Sequence, residues 1–175
     1  MRTLGIDPGK KGGLAVADGR RALVAAADVP LNERGEVDVL AVIAFIQRHR
    51  PRRAVIERAS AMPSTDDGKR GMGATSAFNY GGAFHALRAC VVGLGIPLYR
   101  VEASSWKAFY GLAAPRGAQE RPERRDVKEA ARERALAMFE NGAELFPNKG
   151  HHNRAEAALI AAAGDVLIGR GHAKP

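Results

Sequence analysis

Three short apolar segments in succession open the chain, and the turns between them leave little choice of topology. Residues 2–7 (Arg-Thr-Leu-Gly-Ile-Asp) read as a strand stopped by Pro8-Gly9. Residues 12–17 read as a second strand, and Asp18-Gly19 after them is a hairpin signal. Residues 21–29 form a third. Strands joined by such tight turns are antiparallel neighbours. The periodicity then changes. Apolar residues at 37, 39, 40, 42, 43, 45 and 46 predict an amphipathic helix, which Pro51 stops. Residues 53–57 (Arg-Ala-Val-Ile-Glu) read as a buried strand ending on an acid. A Gly/Pro/Ser-rich loop is expected over 63–73, and a helix rich in small residues over 74–94. A strand is expected over 97–101, and helices over 103–110, 126–140 and 152–169. The order β-β-β-α-β-α-β-α-α-α predicts an α/β fold over residues 1–175. Its five strands would form one mixed sheet, three antiparallel strands followed by crossovers to parallel ones, with helices on both faces.

Composition limits the function classes. Hydrophobic content of 46% and charged content of 26% are ordinary for a globular chain and argue against disorder. Cys90 is the single cysteine, so no intrachain disulfide can form and a reducing, cytoplasmic setting is expected. No apolar run approaches the ~18 residues of a membrane helix, and Asp7, Lys10 and Lys11 come too early for a signal peptide. Lysine and arginine total 27 against 19 acids, a formal charge of +8. A chain this basic is drawn to polyanions, nucleic acid first among them.

The acids carry the chemistry. Asp7 closes the first strand, Glu57 closes the fourth, and Glu156 lies near the start of the last helix. Ligands of open α/β sheets gather at such strand ends. Carboxylates converging from separate elements repel one another unless a cation sits between them, and hard oxygen donors favour Mg²⁺ or Mn²⁺. Phosphodiester cleavage uses this arrangement, commonly with two ions. Asp7-Pro8-Gly9 is also a good turn sequence on its own account.

Gly-Ile-Asp-Pro-Gly at 5–9 with Gly13-Leu14-Ala15 resembles the opening of the RuvC-type Holliday junction resolvases. Glu57 followed by Ala61-Met62-Pro63 is similar to the second acidic strand of the phage and prophage branch. Gly95-Ile96-Pro97, Trp106-Lys107 and Asn153-Arg154-Ala155-Glu156-Ala157 resemble the family's later strand and helices. The resemblance spans about residues 2 to 165. It implies the RNase H-like fold, a homodimer, and metal-dependent paired nicking of four-way DNA junctions that leaves 5′-phosphate and 3′-hydroxyl ends. It also implies that Lys107 and Lys128 face the scissile strand. One departure stands out. The family places an Asp three or four residues before the last acid, where this chain has Asn153 and His152. Positions i and i+4 share a helix face, so His152 is a candidate fourth ligand beside Asp7, Glu57 and Glu156, with Mn²⁺ favoured over Mg²⁺. Asp165 is about 180° around the helix from Glu156 and is no substitute.

A lysine near the attacked phosphate neutralises charge growing there in the transition state. Arg116, Arg121, Arg124 and Arg125 line the loop before Lys128 and are candidate contacts to junction arms, while Arg48, Arg50, Arg52 and Arg53 are expected on solvated surface. Met62 is a candidate wedge between base steps. Trp106 is expected in the core. The helix over 74–94, with Ala77, Gly81, Ala86 and Ala89, is the expected dimer contact, and Cys90 a buried small hydrophobe. Two other readings stay open: a non-catalytic junction-binding or architectural protein whose acidic site has decayed, and a nuclease of the same fold acting on flaps or hybrids.

Overall fold

A computed structural model describes residues 1–58, 73–113 and 124–175, with the backbone alone for 124–127. The chain runs through β1 (Arg2–Asp7), β2 (Gly13–Asp18), β3 (Ala22–Asp28), α1 (Val39–His49), β4 (Arg53–Glu57), α2 (Ala74–Gly93) and β5 (Leu98–Val101). It continues through α3 (Ala103–Phe109), α4 (Arg124–Met138), the short α5 (Gly142–Leu145), a 3-10 turn (Lys149–His151), α6 (His152–Gly169) and β6 (Ala173–Lys174). The strands form one sheet in the order β3-β2-β1-β4-β5-β6. β1 is antiparallel to β2 and parallel to β4, β2 is antiparallel to β3, and β4 is parallel to β5. The mixed α/β sheet is therefore as expected, with one strand more. β6 is two residues long and is defined by antiparallel pairing with β5, so nothing in its own sequence marks it.

Side-chain alternation divides the core. From β1, Leu4 and Ile6 face α1 and α2, joined by Leu14, Val16 and Ile56. On the opposite face, Ala15, Ala17 and Val55 pack with Trp106, Phe139, Phe146 and the alanine-rich α6. Each large side chain buried in this way contributes about 1.5–3 kcal/mol. With period two, Gly5 and Asp7 in β1 and Val55 and Glu57 in β4 lie on the α6 face.

Glycine and alanine set how close α6 comes. A methyl group on Gly5 would strike the Ala157 carbonyl oxygen and the Ala161 nitrogen, and one on Gly13 would strike the Asn153 carbonyl. The helix backbone thus rests directly on β1 and β2, which brings the first turns of α6 over the C-terminal end of β1.

The helix limits differ slightly from expectation. α1 starts at Val39 because Asp38 caps it, its carboxylate accepting from the Ala41 N–H at 3.0 Å. α4 begins and ends two residues early, and α5 with the 3-10 turn occupies the stretch before α6. The arginine run is not wholly solvated. Arg48, Arg50 and Arg52 are exposed, but Arg53 is largely buried, donating to Thr3 Oγ1 at 3.1 Å and pairing with Asp165. Period-two alternation turns Arg53 toward α6, where Asp165 meets it. Met62, Arg116, Arg121 and most of the expected loop at 63–73 lie outside the described residues, and Arg124 and Arg125 are described only as backbone in the first turn of α4.

Candidate active site

Register brings the first two acids together. Ile6 pairs with Ile56 across parallel strands, so Asp7 and Glu57 stand side by side at the C-terminal ends of β1 and β4, about 4.8 Å apart as strands. Glu156, in the part of α6 that rests on Gly5 and Gly13, is 6% exposed and reaches the same place. The consequence is electrostatic. Burial pushes the Asp7 carboxyl well above the usual carboxylate range, the Glu156 and Glu57 charges push it further, and Lys128 and Lys107 pull it back. Two other acids and two lysines, from four separate elements, therefore act on the Asp7 carboxyl group.

Each neighbour of Asp7 is held in turn. The Trp106 indole Nε1–H donates to Glu57 Oε2 at 2.7 Å. Lys107 Nζ lies 4.0 Å from Glu156 Oε1 and 5.1 Å from the Trp106 ring centroid. Lys128 Nζ lies 2.8 Å from His152 Nε2 and donates to Asn153 Oδ1 at 3.3 Å. The Asn153 side-chain amide also donates to the Lys11 carbonyl, which ties α6 to the turn after Asp7.

The expected four-ligand set of Asp7, Glu57, Glu156 and His152 is not drawn together as a cage. Among the described residues no three His, Cys, Asp or Glu side chains are grouped to hold a metal. The reasons are local. Like charges repel, Glu57 is held by Trp106, and the His152 ring is turned to Lys128. The three carboxylates face one another at electrostatic range. Their chemistry still suits a hard divalent cation: the donors are oxygens, and a buried carboxyl beside two acids is ionised at a cost that a cation offsets.

Two contacts were not foreseen from sequence, the Trp106–Glu57 bond and the role of Asn153 in holding both Lys128 and the Lys11 carbonyl. The signal for the first is the Trp106-Lys107 dipeptide itself, since a buried indole must find an acceptor. Cys90 and Trp106 are buried as expected. A methyl group added to Gly81 or Gly82 on α2 would meet nothing within 4 Å, and Phe78 of the same helix is 81% exposed. No described helix is long and apolar enough to cross a membrane.

No protein-family model matches the chain, and no curated protein is similar to it in sequence. Solved structures are similar in fold. Thermus thermophilus RuvC in complex with Holliday junction substrate matches with a TM-score of 0.68 at 19% identity, over 100% of this chain and 99% of that one. The fowlpox virus Holliday junction resolvase matches with a TM-score of 0.56 at 8% identity, over 97% of this chain and 99% of that one. The yeast mitochondrial Holliday junction resolvase matches with a TM-score of 0.53 at 13% identity, over 92% and 77%. These matches extend over 92–100% of this chain, and the chain is built on the fold shared by RuvC and other Holliday junction resolvases.

Proposed function

We propose that this protein is a structure-selective endonuclease that resolves four-way DNA junctions by divalent-metal-dependent nicking. The observation that carries the reading is the convergence of Asp7, Glu57 and Glu156, with Lys107 and Lys128, at the C-terminal ends of β1 and β4. The resolvase fold and the net charge of +8 support it.

Asp7, Glu57 and Glu156 would hold Mg²⁺ or Mn²⁺, two ions being what the family resemblance implies. Such ions, when bound, supply an activated water and charge neutralisation at the leaving oxygen. The chain's own residues do the rest. Asp7 and Glu57, which on their own would repel a phosphate, would hold the ions at the C-terminal edge of the sheet. Lys107 and Lys128 bring positive charge to the phosphate oxygens, where negative charge grows as water adds and the 3′ oxygen departs. Lys107 is already oriented by Glu156 and the Trp106 ring, and Lys128 by His152 and Asn153.

Paired nicking calls for a two-fold dimer. The outer side of α2, with exposed Phe78 and the open Gly81-Gly82, is the surface proposed for it. Light scattering at micromolar concentration tests this, and a monomer there would count against it.

The activity is tested with a synthetic four-way junction and a linear duplex of the same sequence, each incubated with Mg²⁺ or Mn²⁺. Junction cutting at symmetric positions, with the duplex spared, supports the reading. Tight junction binding with no cutting in either ion would leave an architectural DNA-binding role instead.

A further inference from the structure

We propose that Trp106 is a positioning residue of the acid cluster: its buried indole N–H fixes one oxygen of Glu57 and leaves the other for a cation. This rests on the metal-dependent reading above and names a residue that serves it.

The placement follows from topology. Glu57 is in register with Val101 at the end of β5, and α3 begins two residues later, at Ala103. One turn into α3, residue 106 stands over the end of β4. The indole ring there is fully buried. Indole has a single donor and no acceptor, and that donor goes to Glu57 Oε2 at 2.7 Å, a short bond to a charged acceptor of the stronger kind. A glutamate at the edge of a sheet has several rotamers. A bond to a side chain that is itself locked in the core selects one, before any ion arrives. The neighbouring residue extends the device. Lys107 Nζ lies 5.1 Å from the same ring and 4.0 Å from Glu156 Oε1, and the ring face attracts the ammonium. Two consecutive residues of α3 thus address two different acids, one through the indole edge and one across its face.

The role is separable from core filling. Phenylalanine occupies most of the same space but donates nothing. Trp106 is also the sole tryptophan of the chain, so its emission reports on Glu57 directly.

The test uses the full chain and the metal ions alone. Calorimetric titration with Mn²⁺ is expected to give about tenfold weaker binding for Trp106→Phe than for wild type, the size usual for a lost partner of a ligand, with the far-UV circular dichroism unchanged. Titration of wild type with Mg²⁺ should change Trp106 emission saturably, and Glu57→Gln should shift that titration to higher concentration. Equal Mn²⁺ affinity in Trp106→Phe, or wild-type emission indifferent to saturating Mg²⁺, overturns the positioning role while leaving the metal site intact. Wild type that binds neither ion overturns the metal-site reading and this inference with it. If Trp106→Phe fails to fold, the wild-type emission titration decides.

Discussion

Lys128 Nζ stands 2.8 Å from His152 Nε2, and the partners of the two ring nitrogens fix which one donates. An ammonium only donates, so Nε2 accepts, and Nδ1–H donates to the Lys149 carbonyl at 3.1 Å. The lone pair that would bind a metal is taken by the lysine. Asn153 Oδ1 accepts from the same ammonium. His152 and Asn153 therefore hold a lysine whose charge acts on Asp7.

His152→Ala should then lower junction cutting about tenfold, as expected for a lost supporting contact, without moving the Mn²⁺ concentration that gives half-maximal rate. His152→Gln, which keeps an acceptor, should recover part of the loss. A large rise in the Mn²⁺ requirement would make His152 a ligand after all. Initial rates across a Mn²⁺ series decide.

Asp7→Asn should abolish cutting and stabilise the metal-free fold at neutral pH. The Asp7 pKa is raised by burial, then by Glu156 and Glu57. The native state therefore binds more protons than the unfolded chain above about pH 3.9, the ordinary Asp value. Asp7's contribution to stability is present below that pH and is lost as pH rises through the raised native value. Thermal unfolding in chelator should show wild type and Asp7→Asn converging in acid and separating toward pH 7, by some 2–4 °C for each kcal/mol. Mn²⁺ should raise the Tm of wild type more than that of the variant.

Lys107→Met and Lys128→Met should each reduce the cutting rate of bound junction by about 100-fold, the usual effect of removing a group that stabilises transition-state charge. Junction affinity should fall less, with a shallower salt dependence by about one unit of slope. Single-turnover rates and binding at several salt concentrations separate the two effects.

Gly5→Ala should destabilise the fold by about 1–3 kcal/mol or more, because the added methyl strikes the α6 backbone at Ala157 and Ala161. Lifting α6 also moves Glu156 away from Asp7. Urea unfolding measures the first effect, and a weaker Mn²⁺ response in the folded variant measures the second.

Much of this was legible in the residues. Strand ends were marked by Pro8-Gly9 and Asp18-Gly19, and α6 spans the helix expected over 152–169. That Asp7 and Glu57 are neighbours follows from two strands of one parallel pair, both ending on an acid. Three things besides the Trp106–Glu57 and Asn153 contacts were not legible. β6 exists only by pairing with β5. Arg53 looked like one of four equal surface arginines until the alternation of β4 turned it toward Asp165. The partner of His152 depends on where α4 sets Lys128, which no local pattern records. Helix periodicity placed His152 near Glu156 but not the direction of its ring.

Asp7, Glu57 and Glu156 are proposed to close on a cation. Anomalous diffraction from crystals soaked in Mn²⁺ tests it most directly. A manganese peak is expected among those three carboxylates, with His152 still on Lys128. A peak elsewhere, or none while the three side chains stay apart at saturating Mn²⁺, would contradict it.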